Sequence, residues 1–397
     1  MAPSRTVLIA GAGIGGLTAA LALAAKGFRV TVIEKADRLE QAGAGLQLSP
    51  NASRILIGLG LRSRLSACAL APDAVSIASV RHGGEICRLP LDATAAADAA
   101  PYWVMHRADL QAALLGEVQA NPDIELRLGT AFEDAAAGGT GVTVGCRDGT
   151  TRRQESAWAL IGADGVWSAL RGRLFPNVRA EFSGLIAWRG IADAARLSAE
   201  PAPPRVRLWM GPNAHLVTYP MSGGRRTNVV AIVPGNWNQP GWSEAGDSAE
   251  ITHRFAAARW PEAARTMIGA IDGWRRWALF TIPQMPVRHS GAMALLGDAA
   301  HAMLPFAAQG AGMAIEDAAV LARCLGEAKD ADSPATALAR YTSLRRARVA
   351  RVQSLARQNG RIYHLAGAAA LARDLGIKAL GPRRMLKRQD WIYDWRA

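Results

Sequence analysis

A glycine-rich turn near the start of the chain has the residue types and the spacing of a dinucleotide-binding site. Gly11, Gly13 and Gly16 follow the apolar run 7–10 and open an alanine- and leucine-rich run. Gly11 would allow the sharp turn, Gly13 would let backbone N–H groups approach a pyrophosphate, and Gly16 would let helix and strand pack closely. Glu34 ends the next apolar run, where its carboxylate can accept hydrogen bonds from ribose hydroxyls. The pattern predicts a dinucleotide site, and the alternative is a glycine-rich turn in an ordinary βαβ unit.

Two later apolar runs end in an acidic residue next to a glycine. The run 158–162 leads into Asp164-Gly165, and the run 292–296 leads into Gly297-Asp298. Both are typical of short buried strands that end in turns. A further glycine-rich stretch at 309–312 then opens a helix. Together with the first glycine turn, these runs predict an α/β fold class.

The pattern between these runs predicts how the chain divides into domains. Many tryptophans and short strands from 177 to 280 indicate a sheet inserted into the first domain. The first predicted domain is 1–176, with a short β excursion near 71–100 and a meander over 124–160. The inserted sheet is 177–280, the second part of the first domain is 281–330, and a helical segment follows over 331–397. Within that last segment, residues 334–375 predict one long basic helix.

Composition limits the class of protein and its partners. The chain has 397 residues, of which 50% are apolar and 20% charged, enough for two or three globular domains. No apolar run reaches 18 residues and the start has no signal-peptide pattern, so we expect a cytoplasmic protein. The four cysteines lack metal-ligand or disulfide-framework spacing, so we expect reduced thiols and no metal.

The net charge of +13 is concentrated at the end of the chain. Residues 340–397 contain 14 Lys and Arg but 3 Asp and Glu, a net charge of +11. Such a segment could attract nucleic acid or an anionic membrane surface. Because no nucleic-acid module accompanies it, a solvated basic helical face is the favoured interpretation. We therefore expect no nucleic-acid or membrane partner, and a monomer or homodimer.

Taken in order, these features resemble the single-component (group A) FAD-dependent aromatic hydroxylases. The resemblance is carried by the glycine turn with Glu34, by Asp164-Gly165, by Gly297-Asp298, by His106-Arg107 and by the closing Asp390-Trp391-Ile392-Tyr393. That family includes 4-hydroxybenzoate, 3-hydroxybenzoate and salicylate hydroxylases and 6-hydroxynicotinate 3-monooxygenase. The resemblance implies a Rossmann-like FAD-binding domain, interrupted by a mostly-β substrate domain and followed by C-terminal helices.

The resemblance also implies an activity. The flavin of this family takes hydride from NADH or NADPH, forms a C4a-hydroperoxide with O2, and transfers one oxygen to an electron-rich ring. We therefore expect a monooxygenase acting on a small hydroxylated aromatic or N-heteroaromatic acid. Two alternatives stay open, namely a larger terpenoid or polyketide substrate, and a flavin-binding or reductase protein that does not activate oxygen.

Several residues take roles in FAD binding from the resemblance. The glycine turn would face the pyrophosphate, with Glu34 at the adenosine ribose and Lys35 beside the adenosine. Arg107 would lie near the ribityl and pyrophosphate groups, and Asp298 would bind a ribityl hydroxyl. The alternatives are a surface ion pair for Arg107 and a helix cap for Asp298.

Three further positions would lie closer to the reacting ring. Asp164 would serve both FAD and NAD(P)H binding, its alternative being a strand-end turn. The backbone of Gly310, Ala311 and Gly312 would stabilise negative charge at the flavin N1–C2=O edge. Gln47 occupies a position that lies near flavin and substrate in relatives.

The substrate side is predicted from the stretch around His215. If this stretch is extended, His215, Val217 and Tyr219 point to one face. In the 3-hydroxybenzoate and 6-hydroxynicotinate enzymes a histidine and a tyrosine occupy this spacing, which implies that His215 is the base or the phenolate partner and Tyr219 a relay or orienting group. The alternative is that both side chains stabilise the sheet. Arg189 could approach the flavin or a substrate carboxylate, or form a structural ion pair, and a nonpolar Phe306 suggests a hydrophobic pocket.

Overall fold

The computed structural model of this chain describes residues 5–39, 45–91, 100–138, 141–197, 203–241, 243–257, 260–328 and 334–397. The predicted boundary near 330 and the end of the 71–100 excursion lie outside these ranges.

The strands, in chain order, are β1 (Thr6–Ala10), β2 (Arg29–Ile33), β3 (Gly45–Leu48), β4 (Ala74–Ser79), β5 (Gly84–Pro90), β6 (Trp103–His106), β7 (Ile124–Arg127), β8 (Thr130–Gly138), β9 (Gly141–Asp148), β10 (Thr151–Ala157), β11 (Ala159–Gly162), β12 (Glu181–Asp193), β13 (Arg205–Gly211), β14 (Ala214–Met221), β15 (Arg226–Pro234), β16 (Glu244–Gly246), β17 (Trp274–Thr281), β18 (His289–Ser290) and β19 (Met293–Leu295). The helices are α1 (Ile14–Ala24), α2 (Pro50–Gly58), α3 (Arg62–Cys68), α4 (Arg107–Ala120), α5 (Ala169–Leu174), α6 (Ser248–Ala257), α7 (Glu262–Gly269), α8 (Asp298–His301), α9 (Gly310–Gly326), α10 (Pro334–Tyr363), α11 (Gly367–Lys387) and α12 (Asp390–Tyr393).

A six-stranded sheet forms the first layer, in the order β18-β19-β11-β1-β2-β7. All neighbours are parallel except β18 and β19. The strands β1, β11 and β19 are buried almost throughout, because helices and a three-stranded sheet of order β10-β9-β8 cover their two faces. Their carboxyl ends meet at one edge of the sheet, which brings the three glycine-containing turns together. This arrangement confirms the predicted α/β class.

An eight-stranded sheet forms the second layer, in the order β16-β17-β12-β15-β14-β13-β4-β5. Its central strands come from the predicted insertion, but β4 and β5 come from the earlier excursion. The strand β13 pairs in parallel with β4, so the excursion is part of this sheet rather than a separate feature. This pairing satisfies backbone groups that would otherwise lie exposed at the edge strand β13. The helices α6 and α7 pack with a tryptophan-rich core on one face of the sheet.

The prediction of one basic helix over 334–375 is wrong. The helix α10 ends at Tyr363 and α11 begins at Gly367, whose φ of 55° is a left-handed conformation suited to glycine. Between them, the carbonyl of His364 accepts a hydrogen bond from the N–H of Asn213 at 3.1 Å. The end of α10 is therefore tied to the turn between β13 and β14, which interrupts the helix.

Part of the basic C-terminal segment lies inside the molecule. Arg345 is 1% exposed and pairs with Asp317 at 2.6 Å and Glu316 at 2.7 Å, and Arg348 pairs with the same glutamate at 2.7 Å. Both guanidinium groups lie over the ring of Trp395. The interpretation as a wholly solvated face is therefore wrong for these positions. Among the helices of the described ranges, none is both long and apolar enough to cross a membrane.

Candidate active site

One large cavity connects the two sheets. It has a volume of about 2000 Å³ and extends from the glycine turn to the inner face of β14 and the end of α10. Glu34 lines one end of it, and His215 and Tyr219 line the other. The two sets of residues singled out from the sequence therefore share one continuous space.

The glycine turn forms an open cradle at one end of the cavity. Gly11 has a φ of 109°, and a Cβ there would lie 2.5 Å from the carbonyl oxygen of Ala163. A Cβ on Gly16 would lie 1.9 Å from the carbonyl oxygen of Gly11, so Gly16 serves helix packing and does not line the cavity. Gly13 precedes α1 without a side-chain cap, lines the cavity and has nothing within 4 Å of a built Cβ. The first-turn N–H groups of α1 are thus open to an anionic ligand.

The carboxylate of Glu34 is fixed beside this cradle. Its Oε2 accepts a hydrogen bond from the N–H of Ala12 at 2.9 Å and its Oε1 accepts one from the N–H of Ala36 at 3.1 Å. Glu34 and Lys35 both line the cavity. The carboxylate can therefore accept further hydrogen bonds from ribose hydroxyls without having to reorient.

Two acids and one arginine also line the cavity. Arg107 is the first residue of α4, and burial lowers the pKa of its guanidinium, while the nearby Asp298 opposes that shift. Asp164 Oδ2 accepts hydrogen bonds from the N–H groups of Ala169 at 2.7 Å and Leu170 at 3.2 Å. Its Oδ1 is buried with no partner among the described residues. Asp164 therefore stabilises the turn at the end of β11 and still has one oxygen left for a ligand.

The start of α9 faces the same space. Gly310 and Ala311 line the cavity, whereas Gly312 does not, and a Cβ on Gly312 would lie 3.0 Å from Oε1 of Gln309. The Gln309 amide donates to Ser49 Oγ at 2.8 Å, which ties this helix start to α2. The structure thus places two of these three predicted residues in the cavity, and Gly312 in the packing behind it.

These features together fit FAD. An uncapped helix start at a glycine cradle suits a pyrophosphate, and the carboxylate of Glu34 suits a ribose. The orphaned Asp164 Oδ1 and the start of α9 add further hydrogen-bonding groups to the cavity wall. FAD is long enough to require such a series of groups, and the cavity continues beyond them toward β14.

His215 lies at the far end of the cavity and is 2% exposed. Its Nδ1 is 2.8 Å from Nε2 of His364, and the rings of Phe306 and Tyr363 meet it edge-on at 4.9 and 5.3 Å between centroids. Burial, with a smaller effect of His364, holds the pKa of His215 well below its usual value. The imidazole is therefore neutral near pH 7.

His215, Val217 and Tyr219 lie on the same face of β14, and all three side chains line the cavity. A Cβ on Gly45 would lie 2.5 Å from the Tyr219 hydroxyl oxygen, so the glycine makes room for the phenol. Burial raises the pKa of Tyr219, and Arg189 opposes that shift. No hydrogen bond joins the described side chains of His215 and Tyr219, so a direct relay between them is not present.

Arg189 is a cation in the cavity wall. Its Nε is buried with no hydrogen-bond partner, and its guanidinium carbon lies 5.3 Å from the ring centroid of Trp277. Burial lowers its pKa. No carboxylate among the described residues pairs with Arg189, so the alternative of a structural ion pair is not supported there.

Several polar residues in or next to the cavity carry no sequence pattern that marks them as functional. Four of the five tyrosines line it, and Tyr102 donates to Oε1 of Gln47 at 2.6 Å. Tyr363 and His364 lay inside the predicted single helix, where nothing marked them as functional. Tyr393 belongs to the closing stretch of the family resemblance, which assigns it no individual role. The helix break that brings Tyr363 and His364 to the site depends on tertiary contacts.

Comparison with known proteins gives consistent results. Residues 4–356 match the family model described as FAD binding domain. The chain is 37% identical to a 3-amino-4-hydroxybenzoate 2-monooxygenase of Streptomyces platensis, over 98% of this chain and 96% of the relative. It is 35% identical to a 3-hydroxybenzoate 6-hydroxylase of Polaromonas naphthalenivorans, over 98% of this chain and 96% of the relative. A solved salicylate hydroxylase in a substrate complex has a TM-score of 0.82 at 26% identity, covering 99% of this chain and 96% of that one.

Proposed function

The chain belongs to the FAD-binding domain family and is an FAD-dependent monooxygenase, and we propose that it hydroxylates a small hydroxylated aromatic acid held between His215 and Arg189. The observation that carries this proposal is the continuity of the cavity, which joins groups suited to FAD with a neutral histidine and a half-buried arginine. The relatives named above act on aminohydroxybenzoate and hydroxybenzoate, which supports the same class of substrate.

The division of work between cofactor and protein is simple. Bound FAD supplies the redox chemistry, taking hydride from NADH or NADPH and activating O2. The glycine cradle, Glu34, Arg107, Asp298 and the start of α9 would hold FAD in the cavity. Asp164 would contribute its free oxygen to FAD or to NAD(P)H. These residues bind and orient, and their charges do not need to change during the reaction.

His215 would accept the proton of the ring hydroxyl. Since its Nδ1 is engaged by His364, Nε2 is the ring nitrogen left for a ligand in the cavity. A phenolate ring is richer in electrons than a phenol, so a base within hydrogen-bond distance favours hydroxylation. Its lowered pKa keeps the imidazole in the basic form, and we expect no loss of kcat/KM from protonation of His215 between pH 8 and 6.5.

Arg189 would bind the carboxylate of the acid. A planar guanidinium with free N–H groups matches a carboxylate well. Phe306 is 6% exposed, lines the cavity and packs against His215, so the cavity wall next to the base is apolar. An aromatic ring fits between such a wall and the cation.

A panel of aromatic acids tests this function. Hydroxybenzoates, aminohydroxybenzoates and hydroxynicotinates are added to the FAD-loaded protein, and NADH and NADPH oxidation, O2 uptake and product mass are measured. We expect at least one phenolic acid to stimulate oxidation and to gain one oxygen atom. If no phenolic or pyridinol acid is hydroxylated, the proposed substrate class is wrong.

A substitution then tests the role of the histidine. His215→Gln should lower hydroxylation about 10²–10⁴-fold, the usual contribution of a positioned base, while bound FAD stays at the wild-type level. The same replacement at His253, an exposed residue of α6, is the matched control and should change neither quantity. An equal loss of FAD and of activity in His215→Gln would show a role in folding instead.

A further inference from the structure

His215 is a buried base, and a buried base needs a route by which its proton reaches water. The described residues that contact its ring include Phe306 and Tyr363, which shield it on two sides. The ring has a polar neighbour at Nδ1, which lies 2.8 Å from Nε2 of His364. His364 is only half-buried and does not line the cavity, so its accessible surface faces outward.

From this geometry we infer that His364 relays the substrate proton from His215 to solvent. The inference rests on the proposed function, in which His215 accepts that proton. His364 acts through His215 and does not itself touch the substrate. The pair is thus a two-histidine path from the closed end of the cavity to water.

The transfer balances without any further reactant. The substrate O–H bond breaks as an N–H bond forms at Nε2 of His215. The Nδ1–H bond of His215 breaks as an N–H bond forms at Nε2 of His364, and His364 gives up its Nδ1 proton to water. Both rings end neutral, and the reverse transfers restore the first tautomers when the ring oxygen is protonated again.

The position of His364 is fixed by its backbone. Its carbonyl accepts from the N–H of Asn213 at 3.1 Å, and its N–H donates to the carbonyl of Gly360 at 3.3 Å. The first bond connects the end of α10 to the hairpin that carries His215, and the second continues the last turn of α10. A side-chain substitution at 364 therefore leaves the docking of α10 in place.

Among the residues that the structure describes, no carboxylate pairs with either imidazole ring. Burial lowers the pKa of His364 to about 4 and that of His215 as well, with no carboxylate contributing to either shift. On α11, Arg373 pairs with Asp374 at 2.8 Å and donates to the carbonyl of Tyr363 at 3.3 Å. Both histidines are thus neutral at working pH, the state that a relay through two tautomers requires.

A pH jump tests the relay without turnover. The FAD-loaded protein is saturated with 4-nitrophenol, whose phenol and phenolate forms absorb at different wavelengths, and the rate of ionisation after the jump is followed by stopped flow. His364→Gln should slow ionisation at least about tenfold, because an amide can still bond to His215 but cannot pass a proton on. His364→Ala should be equally slow, and added imidazole should speed it toward the wild-type rate.

His253→Gln is the matched control and should ionise the probe as fast as wild type. FAD content and melting temperature should be unchanged in all three variants, which separates the relay from a structural role. The inference is overturned if His364→Gln ionises the probe at the wild-type rate, if imidazole does not rescue His364→Ala, or if the wild-type protein forms no phenolate. Failure of every phenolic acid in the substrate panel would instead reject the proposed function, independently of the pH-jump result.

Discussion

Replacing Arg189 should have opposite effects on stability and on substrate affinity. Its guanidinium is desolvated, its Nε is unpartnered, and no described carboxylate neutralises it. The desolvation of a buried ion costs several kcal/mol, whereas the contact with Trp277 returns about 0.5–2 kcal/mol. Arg189→Met keeps most of the apolar stem and removes the charge. We therefore expect the free energy of unfolding of the ligand-free protein to rise by about 1 kcal/mol.

The same substitution should weaken binding of the acid. A hydrogen bond to a charged group contributes about 1.5–3 kcal/mol, so its loss should raise Kd about 10-fold to 150-fold. The neutral amide of the same acid should lose much less affinity. Arg189→Lys retains the charge but not the planar pair of donors, and should fall between the wild type and the methionine variant.

Two measurements check this prediction. Urea unfolding of the ligand-free protein gives the stability change, and perturbation of the flavin spectrum during titration gives Kd for the acid and for its amide. If acid and amide lose affinity equally, Arg189 does not bind the carboxylate. If Arg189→Met loses FAD while its affinity for the acid is retained, Arg189 acts on the flavin instead.

Two further predictions concern the cofactor cradle and the buried ion network. Gly11→Ala should lower both the melting temperature and the FAD content, since Gly11 has a φ of 109° and a Cβ there would lie 2.5 Å from the carbonyl oxygen of Ala163. Gly13→Ala should lower FAD affinity without lowering the melting temperature of the FAD-free protein, because a Cβ there meets nothing within 4 Å. Equal effects of the two substitutions on the stability of the FAD-free protein would contradict this prediction. Burial alone would raise the pKa of Asp317, but His301 and Arg345 lower it below the ordinary value of 3.8. The ionised carboxylate of Asp317 therefore stabilises the fold above pH 3.8, and this contribution to stability is lost as the pH falls below 3.8. Urea unfolding between pH 2 and 5 should therefore show a shallower acid-side loss for Asp317→Asn than for wild type, and identical slopes would refute the assignment.

The sequence alone determined the nucleotide-binding half of the fold. The spacing of Gly11, Gly13 and Gly16 between two apolar runs leaves few conformations for the chain, because the glycines permit a turn that other residues cannot adopt. The predicted α/β class is confirmed for this reason, and the inserted sheet was predicted from the short strands and tryptophans of 177–280. The chemistry of Glu34 was also predictable, since a carboxylate at the end of the second strand follows directly from that local pattern.

The tertiary structure decided how distant segments complete the second sheet and the far end of the cavity. The strand β4 joins β13 across more than a hundred residues, and no local pattern records such a pairing. The break after Tyr363 arises because the carbonyl of His364 is bonded to Asn213 of the β13–β14 turn, a contact that helical periodicity cannot reveal. Helix propensity was overridden there, and the break brings His364 to within 2.8 Å of His215.

The same division holds for the residues of the candidate site. Local spacing placed His215 and Tyr219 on one face of a strand, because side chains alternate along an extended chain. The sequence around Arg189 could not show whether its guanidinium forms an ion pair, since this depends on every carboxylate that the fold brings near it. Backbone geometry is a short-range property that the sequence encodes directly, whereas burial and ionic partners are set by contacts between distant segments and exist only in the folded molecule.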